Sequence, residues 1–168
     1  MRGGDGGARE VMAATPRFGL TWDPDDMKRT ALHEAGHAVI AWSFLVIVEC
    51  IHLDLDNRSG HTRVATMDHL QAFEQIAECV GGLEAEKMFK PPHSEARAFW
   101  DLHHNLPPIL RAHGTSEEEP AGQELRNQGD ICARERLGKR ESKVRAVAEH
   151  LVKHHYMDRV TFEALMRD

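Results

Sequence analysis

Cysteine is scarce. Cys50, Cys79 and Cys132 are the three in 168 residues, an odd number with no close pair. That excludes a disulfide framework and a zinc ribbon, and it predicts a reducing compartment. Long apolar runs are also missing. The longest covers residues 38–48 and contains Ser43, well short of the roughly twenty residues that a membrane span needs. Positive charge is in deficit, with 21 Lys plus Arg against 27 acids and a net charge of -6. A broad nucleic-acid surface needs the opposite balance. There is no GxxxxGK[ST] phosphate loop, so nothing in this sequence binds ATP by that route. The opening residues are Gly-rich and lack the apolar stretch of a signal peptide. These deficits together predict a soluble, cytoplasmic protein with no membrane or nucleic-acid partner. Its predicted organisation is a flexible segment, 1–22, followed by one domain, 23–168.

What is present suffices for a packed core. Apolar residues make up 41% of the chain and charged residues 29%, the balance of a globular protein. Asp23-Pro24-Asp25-Asp26 is a helix start, with a capping carboxylate, a proline at the first helical position and acids at the positive end of the dipole. Apolar residues then recur at helical spacing, and the spacing predicts a helix over 24–47. Residues 49–55 alternate at strand period. Asp56-Asn57-Arg58-Ser59-Gly60 is turn chemistry, so 61–66 reads as the returning strand of a hairpin. A helix over 67–89 contains Gly81-Gly82, which implies either a close helix crossing or a break. Residues 93–122 read as an inserted loop region with a short helix over 95–104. Three more helices are expected over 123–137, 142–155 and 161–166. The fold class is mainly α with a small β-hairpin.

Twelve histidines are the outlying number in the composition, and two of them carry the chemistry. His33-Glu34-Ala35-Gly36-His37 places two imidazoles one turn apart on one helix face, so that both can reach one Zn²⁺. Glu34 is displaced around the helix, where a carboxylate can serve as general base toward an activated water instead of ligating. Two histidines leave a site incomplete, so a third ligand must come from elsewhere.

The segment Thr30 to Ala38 resembles the zinc-site helix of the FtsH-type ATP-dependent metallopeptidases. Three further segments resemble that family in the same order: Gly81-Gly82-Leu83-Glu84-Ala85-Glu86; Asn127-Gln128-Gly129-Asp130-Ile131, similar to the segment that supplies the acidic third ligand; and the closing stretches 147–158 and 162–165. The resemblance covers roughly 28–168. It implies an FtsH-like zinc peptidase domain in which His33, His37 and Asp130 bind Zn²⁺ and Glu34 is the catalytic base. Glu86 is the rival third ligand, or a group that orients a ligand histidine. The family's ATPase and membrane-anchor portions have no counterpart here, and the link over 91–122 is longer than the family's.

These features predict a zinc-dependent endopeptidase acting on unfolded polypeptides, with a separate ATPase or unfoldase as a possible partner. The alternative is a catalytically inactive, zinc-stabilised interaction module of the same fold. Strand 50–55 is the expected holder of substrate backbone. His52 and His61 face each other across the hairpin. His150 and His154 read as a solvated face, and the cysteines read as packing residues.

Overall fold

The computed structural model describes residues 22–89 and 100–167. The first helix, α1 (Pro24–Ser43), starts where the cap chemistry places it. The Asp23 carboxylate accepts from the backbone N–H groups of Asp25, at 2.9 Å, and Asp26, at 3.3 Å. From Arg29 to Ala41 every residue of α1 is buried, as befits a helix that is apolar on most sides. It ends at Ser43 because Phe44 caps it and Leu45 takes a positive φ of 61°, several residues short of the predicted 47.

A hairpin follows, β1 (Val48–Asp54) and β2 (Ser59–Val64), with Ile51 opposite Thr62 and His52 opposite His61. The sequence reading missed a third strand. The short β3 (Tyr156–Asp158) pairs antiparallel with β1, giving the sheet order β2-β1-β3. Three residues are too few to show a strand period. Leu53 N–H also donates to the His155 carbonyl at 2.8 Å, so β1 is paired on both sides. It therefore cannot take a substrate strand as expected for 50–55. The outer strands are β2 and the three-residue β3, and β2 is the one beside α1.

The predicted helix over 67–89 is two helices, α2 (Ala72–Cys79) and α3 (Gly81–Phe89), with Val80 between them. The glycine pair marks a crossing as well as this break. A Cβ at Gly36 of α1 would collide with the Gly81 carbonyl, so α1 and α3 touch backbone to backbone. The described part of 93–122 is not a loop. A π-helical turn, Asp101–Asn105, runs into α4 (Leu106–Ala112), whose Leu106 and Leu110 are buried in the core. Then come α5 (Pro120–Gly138), α6 (Glu141–His154) and α7 (Arg159–Arg167). Asp158 caps the last, accepting from Thr161 N–H at 2.8 Å.

The molecule is thus mainly helical with a small antiparallel sheet. Helix α1 lies at its centre, packed against α3, α6, β1 and β2. No helix among the described residues is long and apolar enough to cross a membrane.

Candidate metal centre

His33, Glu34 and His37 sit in the buried middle of α1. The imidazoles of His33 and His37 meet edge to face, with ring centroids 4.8 Å apart. Each ring is fixed from behind. His33 Nδ1 lies 2.7 Å from Glu86 Oε1 on α3. His37 Nδ1 lies 2.8 Å from the main-chain carbonyl of Glu78 on α2. An oxygen at Nδ1 assigns the proton to that nitrogen and leaves the lone pair on Nε2. The two Nε2 atoms are 3.0 Å apart. Gly82 makes room for this: a Cβ there would lie 2.5 Å from His33 Nε2.

The third group is Asp101, on the π-helical turn. Its Oδ2 is 2.9 Å from His33 Nε2 and 3.4 Å from His37 Nε2. Oδ1 accepts from the Asn105 amide at 3.1 Å, whereas the buried Oδ2 receives no well-aligned hydrogen bond. Three lone-pair atoms therefore converge on one point, which electrostatics permits only around positive charge. Zinc bonded at about 2.0–2.1 Å to three corners of a tetrahedron sets them roughly 3.3–3.4 Å apart. The observed triangle is a slightly contracted version of that arrangement. His33, His37 and Asp101 are the one such set of His, Cys, Asp or Glu side chains found among the described residues. Two imidazoles and a carboxylate suit zinc and several first-row ions.

The titration behaviour of the metal-free site says the same thing. Burial works against the charged form of His37, but the Asp101 carboxylate and the negative charges of Glu78 and Glu34 outweigh it and raise its pKa to about 10. Burial also opposes charge on His33, and Asp101 with Glu86 again prevail, raising its pKa. Burial would raise the Asp101 carboxyl, yet the two imidazoles hold it well below the usual range. Burial, then the Asp101 and Glu34 charges, push Glu78 upward against the pull of both histidines. The surrounding carboxylates thus favour positive charge at this point.

Asp130, expected as third ligand, is not part of this group. It lies on α5, where Arg126 one turn earlier donates Nε to its Oδ1 at 3.1 Å. An acid within a regular helix, with an arginine at i-4, is satisfied by its own helix. Glu86 takes the role of orienting His33, with the buried Arg29 guanidinium 3.9 Å behind its other oxygen. One signal for Asp101 was in the sequence: it is the sole charged residue between Ala98 and Leu110.

The centre opens into a cleft of about 560 Å³. Glu34, Thr62 and Glu78 line it near the histidines, and Val64, Met67 and Ile109 supply apolar wall. A smaller hollow of about 270 Å³, bordered by Ser59 and Trp100, shares His33, Glu34 and Asp101 with it. His61 also borders the cleft, its ring 6.4 Å from that of His52. The His150 and His154 rings lie tilted at 40° with centroids 4.5 Å apart, and His150 Nε2 lies 3.2 Å from the Tyr156 carbonyl. Cys79 is buried, and burial followed by the Glu78 and Asp101 charges pushes its thiol far up, so it is no nucleophile near neutral pH. In comparisons with known proteins, no family model and no curated protein matches this chain.

Proposed function

We propose that the chain is a zinc-dependent endopeptidase that hydrolyses unfolded polypeptides. The observation that carries this reading is the convergence of His33 Nε2, His37 Nε2 and Asp101 Oδ2 in a cleft that also contains Glu34. The likeness of residues 30–38 to the FtsH-type zinc helix supports it, with Asp101 in the ligand role that the likeness gave to Asp130. Three protein ligands with a position left open are the mark of a catalytic zinc site, whereas structural sites close all four.

When bound, zinc supplies the positive charge that activates water and polarises a carbonyl oxygen. The protein's own groups do the rest. Glu34 takes a proton from the attacking water and returns it to the leaving amide nitrogen as the C–N bond breaks. The free edge of β2 offers backbone N–H and C=O groups to an extended peptide, and the apolar wall of the cleft takes a side chain. A folded domain cannot present such a strand, so an unfoldase must act first on folded substrates. This reading also places the protein in the cytoplasm.

The decisive comparison is metal-loaded wild type against Glu34→Gln on an unfolded protein. Metal content should be equal, and hydrolysis should fall by roughly 10²–10⁴. If neither protein cuts while both hold the ion, the centre belongs to a non-catalytic interaction module.

A further inference from the structure

We infer that Thr62 is a positioning residue for the base, fixing which carboxylate oxygen of Glu34 is left to take the proton; this rests on the hydrolase reading. Thr62 is the middle of three half-buried β2 residues, with Gly60 and Val64, that alternate with the exposed Ser59, His61 and Arg63. Its hydroxyl donates to Glu34 Oε2 at 2.8 Å. The same hydroxyl lies 3.0 Å from the main-chain carbonyl of Glu34. The one hydroxyl proton goes to the shorter, charged contact, the carboxylate, and the carbonyl stands beside it.

With Oε2 engaged, Oε1 is the oxygen available for a proton. It packs against Gly60, where an added Cβ would stand 2.7 Å away, so the missing side chain is what lets the carboxylate lie in this position. A general base acts only from a defined place within hydrogen-bond reach of the proton, and misplacement by about 1 Å can cost on the order of 10²-fold. Helix α1 fixes the Cα of Glu34, but a glutamate has three rotatable bonds beyond it. Among the described residues, Thr62 is the one side chain found to hydrogen-bond that carboxylate. Thr62 stands on the strand whose other edge is offered to substrate. Base and bound peptide thereby share one support.

The test compares Thr62→Val, which keeps the shape without the hydroxyl, with Thr62→Ser, which keeps the hydroxyl. Both are assayed as full-length, zinc-loaded protein on an unfolded substrate, with zinc content measured. Thr62→Val should lose about 10–10²-fold in kcat with KM within about two-fold, and Thr62→Ser should recover most of the loss. A second reading needs no activity: the shift in urea midpoint caused by Thr62→Val in metal-free protein should shrink by at least half when Glu34 is already Ala. Unchanged kcat in Thr62→Val, failure of Ser to rescue, or strictly additive urea shifts would each overturn the assignment while leaving the hydrolase standing. Absence of Glu34-dependent hydrolysis in wild type would remove the hydrolase reading and Thr62's role with it.

Discussion

Asp101 and Asp130 have the same side chain and opposite circumstances. Asp130 sits in the middle of a nineteen-residue regular helix and is answered by Arg126 of that helix. Asp101 opens a π-helical turn and faces two histidines from a helix more than sixty positions earlier in the chain. A regular helix offers an acid partners at i-4 and i+4, and a long basic side chain there satisfies it locally. A π-helical turn interrupts that ladder, and here it projects the carboxylate inward to groups from other elements. Sequence likeness weighs residue types in order. The three-dimensional site selects by what remains unsatisfied, and Asp101 Oδ2 is the atom that does.

The sharpest way to break this contrast is to remove each acid in turn. Protein zinc sites bind with about 10–16 kcal/mol, which gives several kcal/mol per ligand, so Asp101→Ala should weaken zinc by roughly 10²-fold or more. His33→Ala and His37→Ala should match or exceed that loss. Asp130→Ala should leave affinity within about two-fold. Titration against a competing chelator reads both, and a larger loss for Asp130 would return the ligand role to α5. Next in size is Glu86→Ala, expected to weaken zinc by about 10–100-fold, the usual effect of removing a carboxylate that orients a ligand histidine. A loss as large as that of Asp101→Ala would make Glu86 a direct ligand.

Acidity distinguishes the two states of the centre. In metal-free protein the folded pKa of His37 is raised to about 10 from an ordinary 6.5. Its stabilising contribution is therefore fully present below about pH 6.5 and fades as pH rises through about 10. Asp101 behaves inversely: its depressed pKa adds stability above its ordinary value near 4, lost as pH falls through the lower folded value. Urea midpoints of chelator-treated protein should accordingly fall between about pH 7 and 10. Zinc must displace the proton that His37 holds, so zinc affinity should instead weaken steadily as pH drops below about 10. Parallel pH curves for the two forms would mean that zinc does not bind through these rings. The smallest effect is on Asp130. Its partly exposed pair with Arg126 should contribute about 0.3–0.5 kcal/mol, so thermal unfolding of Asp130→Ala should scarcely move.

The legible part of the fold is the part written in local chemistry. Asp23, Pro24 and the acids after them announced α1, and the 33–37 spacing announced two histidines on one helix face with an acid beside them. The hairpin showed itself through alternation and an Asp-Asn-Arg-Ser-Gly turn. Four things were illegible. β3 is too short to have a period. The end of α1 depends on Leu45 adopting a left-handed backbone, which leucine does not advertise. Asp101 lies in a stretch broken by Pro107 and Pro108, where neither helical nor strand spacing is sustained, so its place opposite His33 arises only when α4 docks Leu106 and Leu110 into the core. Thr62 was illegible for a related reason: an inward threonine on a strand looks the same whether it meets a carboxylate or a methyl group.

The contact of Gly36 with Gly81 gives the centre a gauge. Most helix pairs are spaced by side chains, whose rotamers allow some play. Here backbone rests on backbone, and the spacing between α1 and α3 is set by atoms that have no rotamers. Glu86 stands on α3 and His33 on α1, so the length of their hydrogen bond inherits that spacing. A methyl group added at Gly36, one turn along the same helix face from His33, would act like a shim: it would lift α3, draw Glu86 back, and detune the His33 imidazole without touching it.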